Sequence, residues 1–397
     1  MLTYFRQFRR ISLPIFAIIG IAGAVWFMRS FSAVTPEQVM SSLFDVSAPT
    51  RYAFVSDKNK ASVAVVDLLE HRQVSTLTLQ APPYFWALSA TQGKLFYSAY
   101  DDTVVHIHDV ANHNEQQLNL PHRIQAWQYS DAHHWLFVWG DGFVSRVDII
   151  SNDIETVDAG VAVLDGMLYD AFLQKLWLID GEHNQLTAWA LTEAEQNPTL
   201  YHYPLSVGAH DFAPLTSTPD GLYLLIGFAD ENNQYQLKLW DMTIAAWVEK
   251  PFLLHQSPLV RPYAGARGRY LWVFAQDGQG LRIDVASPHL TEVVKTSVAG
   301  VKHIATGWLD QRLLVAGESN AEIYEAGSLN RVAQIALPST VQEVFITADS
   351  KTALLTVDGT PFLYAIELKG GGFSELELGG IANPDKVIMG ASATLCH

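Results

Sequence analysis

A run of alternating apolar residues recurs eight times along this chain, and seven of the eight copies end on an acid. The copies are SVAVVD ending at Asp67, VVHIHD at Asp109, FVSRVD at Asp148, QLTAWA at Ala190, LKLWD at Asp241, GLRID at Asp284, AEIYE at Glu325 and FLYAIE at Glu367. Successive ends lie 42, 39, 42, 51, 43, 41 and 42 residues apart, and the one long interval holds the polar insertions LTEAEQNP and ADENNQ. A pitch held over some 300 residues marks one supersecondary unit repeated, because each copy must bury faces that it cannot cover alone.

Each run has company. A second apolar run precedes it, as in YAFVSD, KLFYSAY, WLFVWGD and KLWLIDG, and a small-residue segment such as FWALSA, KHIATGW or EVFITAD lies upstream of many. A polar run such as QVSTLTL or FSELEL follows. The unit is therefore four short strands in about 42 residues, the content of a propeller blade. Turns rich in Asp-Gly and Pro-Asp-Gly suit tight hairpins. Eight runs predict an all-β, eight-bladed β-propeller over residues 51–397, with seven blades and one irregular unit as the alternative. The first unit lacks its innermost strand. The segment Lys386 to Ala393 is expected to supply it and to close the ring.

Composition agrees: apolar residues make up 49% of the 397, and aromatics, which favour strands, 11%. The net charge is −16, and outside residues 1–30 the balance is 21 basic to 41 acidic groups. Such a surface repels phosphate backbones, which argues against nucleic acid and leaves a basic protein as a possible partner. A single cysteine, Cys396, permits no intrachain disulfide.

The N-terminus departs from the repeat. Ile11 to Met28 carries no charge, follows Arg6, Arg9 and Arg10, and would span roughly 27 Å as a helix. The charge bias places the first residues in the cytoplasm. A cleavable signal is the alternative, but its candidate site, Phe31-Ser32-Ala33, puts a bulky ring where a small residue is needed. The expected organisation is a cytoplasmic stub and single transmembrane helix over 1–33, a linker over 34–50, and a propeller on the periplasmic side of a bacterial inner membrane.

AFVSDKNKASVAVVDLLEHRQVSTLTL resembles the YVTN-type surface-layer propeller repeat, and STPDGLYLLIGF with LKLWD resembles both that class and WD40 repeats. The Gly-His pair of WD40 blades is missing. The resemblance implies a propeller of the YVTN or quinoprotein-amine-dehydrogenase-like superfamily, and no particular reaction.

Several residues carry possible chemistry. His106 and His108 share one side of a strand and could chelate a metal with a third ligand, or simply pack. ATLCH at the C-terminus resembles half of a haem-attachment motif, with Cys396 as thioether donor and His397 as iron ligand. Ala393 replaces the first cysteine, so a frayed end with an incidental thiol is the competing reading. Arg261, Arg267 and Arg269 form the densest basic patch of the propeller and could hold an anion at its mouth or neutralise neighbouring acids. His210 beside Asp211 could orient a base. Tryptophans at blade-like spacing read as packing between blades. No nucleophile elbow or phosphate-binding glycine pattern is present. With an anchor and a rigid ring but no convergent catalytic set, the leading expectation is a protein-binding scaffold or assembly factor of an envelope complex, with no cofactor. The alternatives are a redox or cofactor-binding propeller holding a quinone or haem, with His210, Arg267 or Arg269 as contacts, and a lactonase-like hydrolase.

Overall fold

The computed structural model describes residues 50–390, apart from 192–198, 206–207, 249–250, 255–256, 266 and 287–290. The apolar run 11–28 and the terminal Cys396 and His397 lie outside the described residues. Among the described residues no helix is long and apolar enough to cross a membrane.

Eight antiparallel sheets follow one another, each of four strands except the fifth, which has a split outer edge. The ring has eight blades, so the seven-bladed alternative falls. The recurrent acid-ended runs are the third strands counted from the axis. The small-residue segments upstream, such as Phe85–Ser89, His303–Gly307 and Val341–Ile346, are the innermost strands. The acid that ends all but one of the third strands has a structural task. Asp67, Asp109, Asp148 and Asp241 each accept two backbone N–H groups from the turn that follows, at 2.9 to 3.2 Å. These turn bonds explain why the residue type recurs.

Buried apolar side chains sort into eight clusters, one between each pair of neighbouring blades. Every blade thus covers both faces with its neighbours, which is why the repeat is stable only as a ring. Trp177, Trp189 and Trp272 are fully buried in these interfaces, in keeping with packing as the role of the periodic tryptophans. Each large apolar side chain so buried contributes about 1.5–3 kcal/mol.

The ring closes through its first blade. Pro384–Met389 pairs antiparallel with Tyr52–Asp57, with Ala53 opposite Met389 and Val55 opposite Val387. Asp57 fastens the joint by accepting the Ala382 N–H at 2.9 Å, and Lys58 N–H reaches the Asn383 carbonyl at 2.8 Å. The expected closing strand exists. It begins two residues before Lys386, and its expected far end, Ala391 to Ala393, lies outside the described residues.

Strand alternation gives the ring two distinct faces. One, the connector face, holds the links from each outer strand to the next innermost strand, together with the hairpins between second and third strands. The other, the hairpin face, holds the remaining hairpins. Tyr52 enters the ring and Met389 leaves it on the hairpin face, because their two strands are antiparallel and adjacent there.

Candidate functional site

Innermost strands pair on one side only within their own sheet, so their free edges line the axis. There, blades 4 to 8 enclose a cavity of about 720 Å³. Its wall includes Arg261 and Tyr263 from blade 6, Lys302 and His303 from blade 7, and Glu343 and Phe345 from blade 8.

The electrostatics of this wall are unusual for so acidic a protein. Arg261 lines this cavity with its side chain exposed to the cavity space. Burial lowers its pKa and the field of Glu343 opposes that shift, but a guanidinium stays charged in either case. Among the described residues Arg261 makes no ion pair or hydrogen bond. Burial also lowers the His303 pKa, so the ring is neutral near pH 7, and burial raises those of Glu343 and Tyr263. The cavity therefore pairs an unneutralised cation with a neutral imidazole and a carboxyl pushed toward its uncharged form.

Irregular backbone sits at the same level. The innermost strands shift register between Leu164 and Gly166 in blade 4 and between Val341 and Glu343 in blade 8, and the closing strand does so beside Asp57. Bulges at these positions re-aim Asp165 and Glu343 relative to a regular ladder. On the connector face near blades 2 and 3, Tyr84 and Tyr100 are exposed and meet edge to face at 5.1 Å, and Phe85 stacks on Trp127 at 6.3 Å. Lys386 Nζ lies 4.9 Å above the Tyr84 ring.

The basic patch read from sequence divides. Arg261 lines the cavity, whereas Arg267 and Arg269 lie on a first-to-second-strand hairpin of the opposite, hairpin face. Arg269 Nε is 3.7 Å from Asp284, and its guanidinium covers the Tyr270 ring at 4.8 Å. His210 is on the connector face. Its Nδ1 bonds the Gly208 carbonyl and its Nε2 the Asn233 amide oxygen, each at 3.1 Å, while Asp211 accepts from Tyr235 at 2.9 Å. His210 and the Arg267–Arg269 pair thus stand on different faces.

His106 and His108 point from blade 2 toward blade 1 and are buried. Glu115 stands 3.5 Å from His106 Nδ1 and bonds the Tyr97 hydroxyl, and both ring nitrogens of His108 lack a partner. Among the described residues no three His, Cys, Asp or Glu side chains are grouped to hold a metal ion. Sequence reasoning did not single out Tyr263, Lys302, His303 and Glu343. The available signal was a polar residue at the start of an innermost strand, as in KHIATG and QEVFI.

No family model matches the chain, and no curated protein sequence matches it. Solved structures do. Dihydro-heme d1 dehydrogenase NirN in complex with DHE superposes with a TM-score of 0.69 at 14% identity, covering 86% of this chain and 75% of its own. Apo AztD from Citrobacter koseri gives 0.55 at 12% identity, covering 86% and 98%. Kuenenia stuttgartiensis hydrazine synthase gives 0.51 at 13%, covering 75% and 96%. At such identities the likeness is one of fold.

Proposed function

We propose that this chain is a ligand-binding propeller whose axial cavity takes a planar, carboxylate-bearing molecule of the tetrapyrrole or quinone class. The observation that carries this reading is Arg261, a guanidinium on the cavity wall with no protein carboxylate in an ion pair, in a chain of net charge −16. A guanidinium left unpaired on a cavity wall can take a carboxylate of a bound molecule in a bidentate pair. Lys302 offers a second charge, Tyr263 and Phe345 offer aromatic faces, and the volume is that of a small-molecule site. A neutral His303 is in the form that ligates metals, which suits an iron-bearing macrocycle. The fold shared with a dehydrogenase solved in complex with DHE is consistent with such a ligand.

The test is a spectral titration of the full-length protein with haemin and, separately, pyrroloquinoline quinone. A saturable band shift with one of them is expected, weakened about 10- to 100-fold in Arg261→Ala by loss of a charged hydrogen bond. No saturable shift with either probe, or an unchanged Arg261→Ala, overturns the reading.

A second reading, the protein-docking scaffold, is favoured by a different observation. Seven of the eight second-to-third-strand hairpins on the connector face carry an acid that is not buried, from Asp101 and Asp141 through Glu182, Asp230 and Asp277 to Glu318 and Asp358. That ring suits a basic partner near the membrane. Salt-sensitive binding of a basic protein that is lost on reversing Asp101 and Asp141 would support it over the first.

A further inference from the structure

Five large apolar side chains of the described residues are at least 60% exposed: Phe172 at 79%, Leu69 at 74%, Ile244 at 71%, Val293 at 64% and Ile150 at 60%. Single exposed apolar residues are ordinary on any protein surface. Here four of the five stand on one face. Leu69, Ile150 and Ile244 are on third-to-fourth-strand hairpins of blades 1, 3 and 5, and Phe172 is on the first-to-second-strand hairpin of blade 4. All of these hairpins project from the hairpin face. Each apolar residue sits at a turn where the local backbone needs are met by a neighbouring acid: Leu69, Ile150 and Ile244 donate their N–H groups to Asp67, Asp148 and Asp241. The turns are thus held firm while their apolar tips stay outside every blade interface.

Two further features mark this face. The chain enters the ring on it at Tyr52, so the apolar run 11–28, which the sequence leads one to expect in a membrane, is tethered to this side. Exposed Arg267 and Arg269 also lie on it, alongside the acids that end the third strands, among them Asp67, Asp148, Asp241 and Asp284. The tether alone does not orient the ring. The stretch between Met28 and Tyr52, fully extended, reaches roughly 80 Å. Firm apolar tips are the surface that inserts at a headgroup boundary, and the guanidinium pair on the blade 6 hairpin can meet lipid phosphate beside them.

We propose that the hairpin face rests on the lipid bilayer, with Leu69, Ile150, Phe172 and Ile244 inserted at the headgroup level, and that the connector face is turned away from the membrane. The proposal is independent of what the axial cavity binds. In this orientation a soluble ligand or partner reaches the ring from its connector face.

The test places an environment-sensitive fluorophore on single cysteines in the full-length chain, in a Cys396→Ser background. The sites are Leu69→Cys, Ile150→Cys, Phe172→Cys and Ile244→Cys, with Tyr100→Cys and Val163→Cys on the connector face as controls. The chain is reconstituted into phosphatidylcholine vesicles with and without phosphatidylglycerol, carrying a nitroxide-labelled lipid. Loss of fluorescence at the four tips but not at the controls is expected, and Arg267→Glu with Arg269→Glu should reduce that loss in the anionic vesicles. Co-flotation with unquenched tips shows a tethered ring that does not dock and overturns the proposal. Tips shielded from aqueous iodide but unquenched by lipid show that another protein surface covers them, which also overturns it. A chain that fails to float with vesicles at all removes both the docking and the membrane expectation.

Discussion

Blades 2 and 7 solve the same problem at the same repeat position in opposite ways. Three residues before the acid that ends the third strand, blade 7 has Glu322 and blade 2 has His106. One residue before it they have Tyr324 and His108. All four side chains are buried and look toward the preceding blade. Glu322 is saturated: it accepts from Thr296 and Ser297 hydroxyls at 2.5 Å each, from the Ser297 N–H at 3.1 Å, from Arg331 at 2.7 Å, and from Tyr324. Burial pushes its pKa up, but these donors outweigh burial and hold it at about 2. The two histidines are depressed by burial with little to oppose it, and Glu115 beside them is pushed up by burial. The pair teaches that burial alone does not decide whether a polar group stabilises a blade interface. What decides it is whether the preceding connector brings donors to the buried groups: Thr296 and Ser297 do so in blade 7, whereas in blade 2 Gln80 gives its backbone N–H to the Tyr97 hydroxyl, accepts from Gln117 and bonds Glu115, and reaches neither histidine.

The comparison breaks most visibly if Glu322 is removed. Glu322→Ala leaves Arg331, Tyr324 and the Thr296–Ser297 donors without their acceptor and is expected to cost about 3–5 kcal/mol, read as a lower urea midpoint. A loss under 1 kcal/mol would mean that the network is ornamental. Acidification separates the two blades next. A histidine whose folded pKa lies below 6.5 contributes stability that is present above that value and is lost as pH falls through it. A glutamate held at about 2 keeps its contribution until pH drops below 4.5. Hydrogen exchange at pH 5 should therefore expose Val104–Asp109 while Asn320–Glu325 stays protected, and simultaneous loss would contradict the contrast. The smallest effect is His108→Leu. Exchanging a ring with two unpartnered nitrogens for an alkyl group of similar reach should change stability by less than about 1 kcal/mol at pH 7 and flatten the acid loss, as followed by thermal unfolding at several pH values.

Much of the architecture was legible because a propeller writes its period into the chain. The third strand is buried on both faces, so it reads as an apolar run, and in seven of the eight blades it ends on an acid at the start of a turn. Closure was legible from a strand missing at one end and present at the other. The walls of the cavity were harder to read. Arg261 and Arg267 are six residues apart and looked like one patch, but an innermost strand lies between them and carries them to opposite ends of the axis. Glu343 owes its aim to a bulge, which leaves no mark on alternation. Glu322 was visible only as an acid at an apolar position, and its donors come from the connector of another blade, 25 residues away.

The joint between Tyr52–Asp57 and Pro384–Met389 sets a timetable for synthesis. The oldest segment of the ring waits, edge bare, for almost the youngest, so every ribosome releases an arc before it releases a circle. Until then a neighbouring nascent copy can offer the same six-residue patch. For this protein, fidelity of assembly is a race between its own tail and a stranger's.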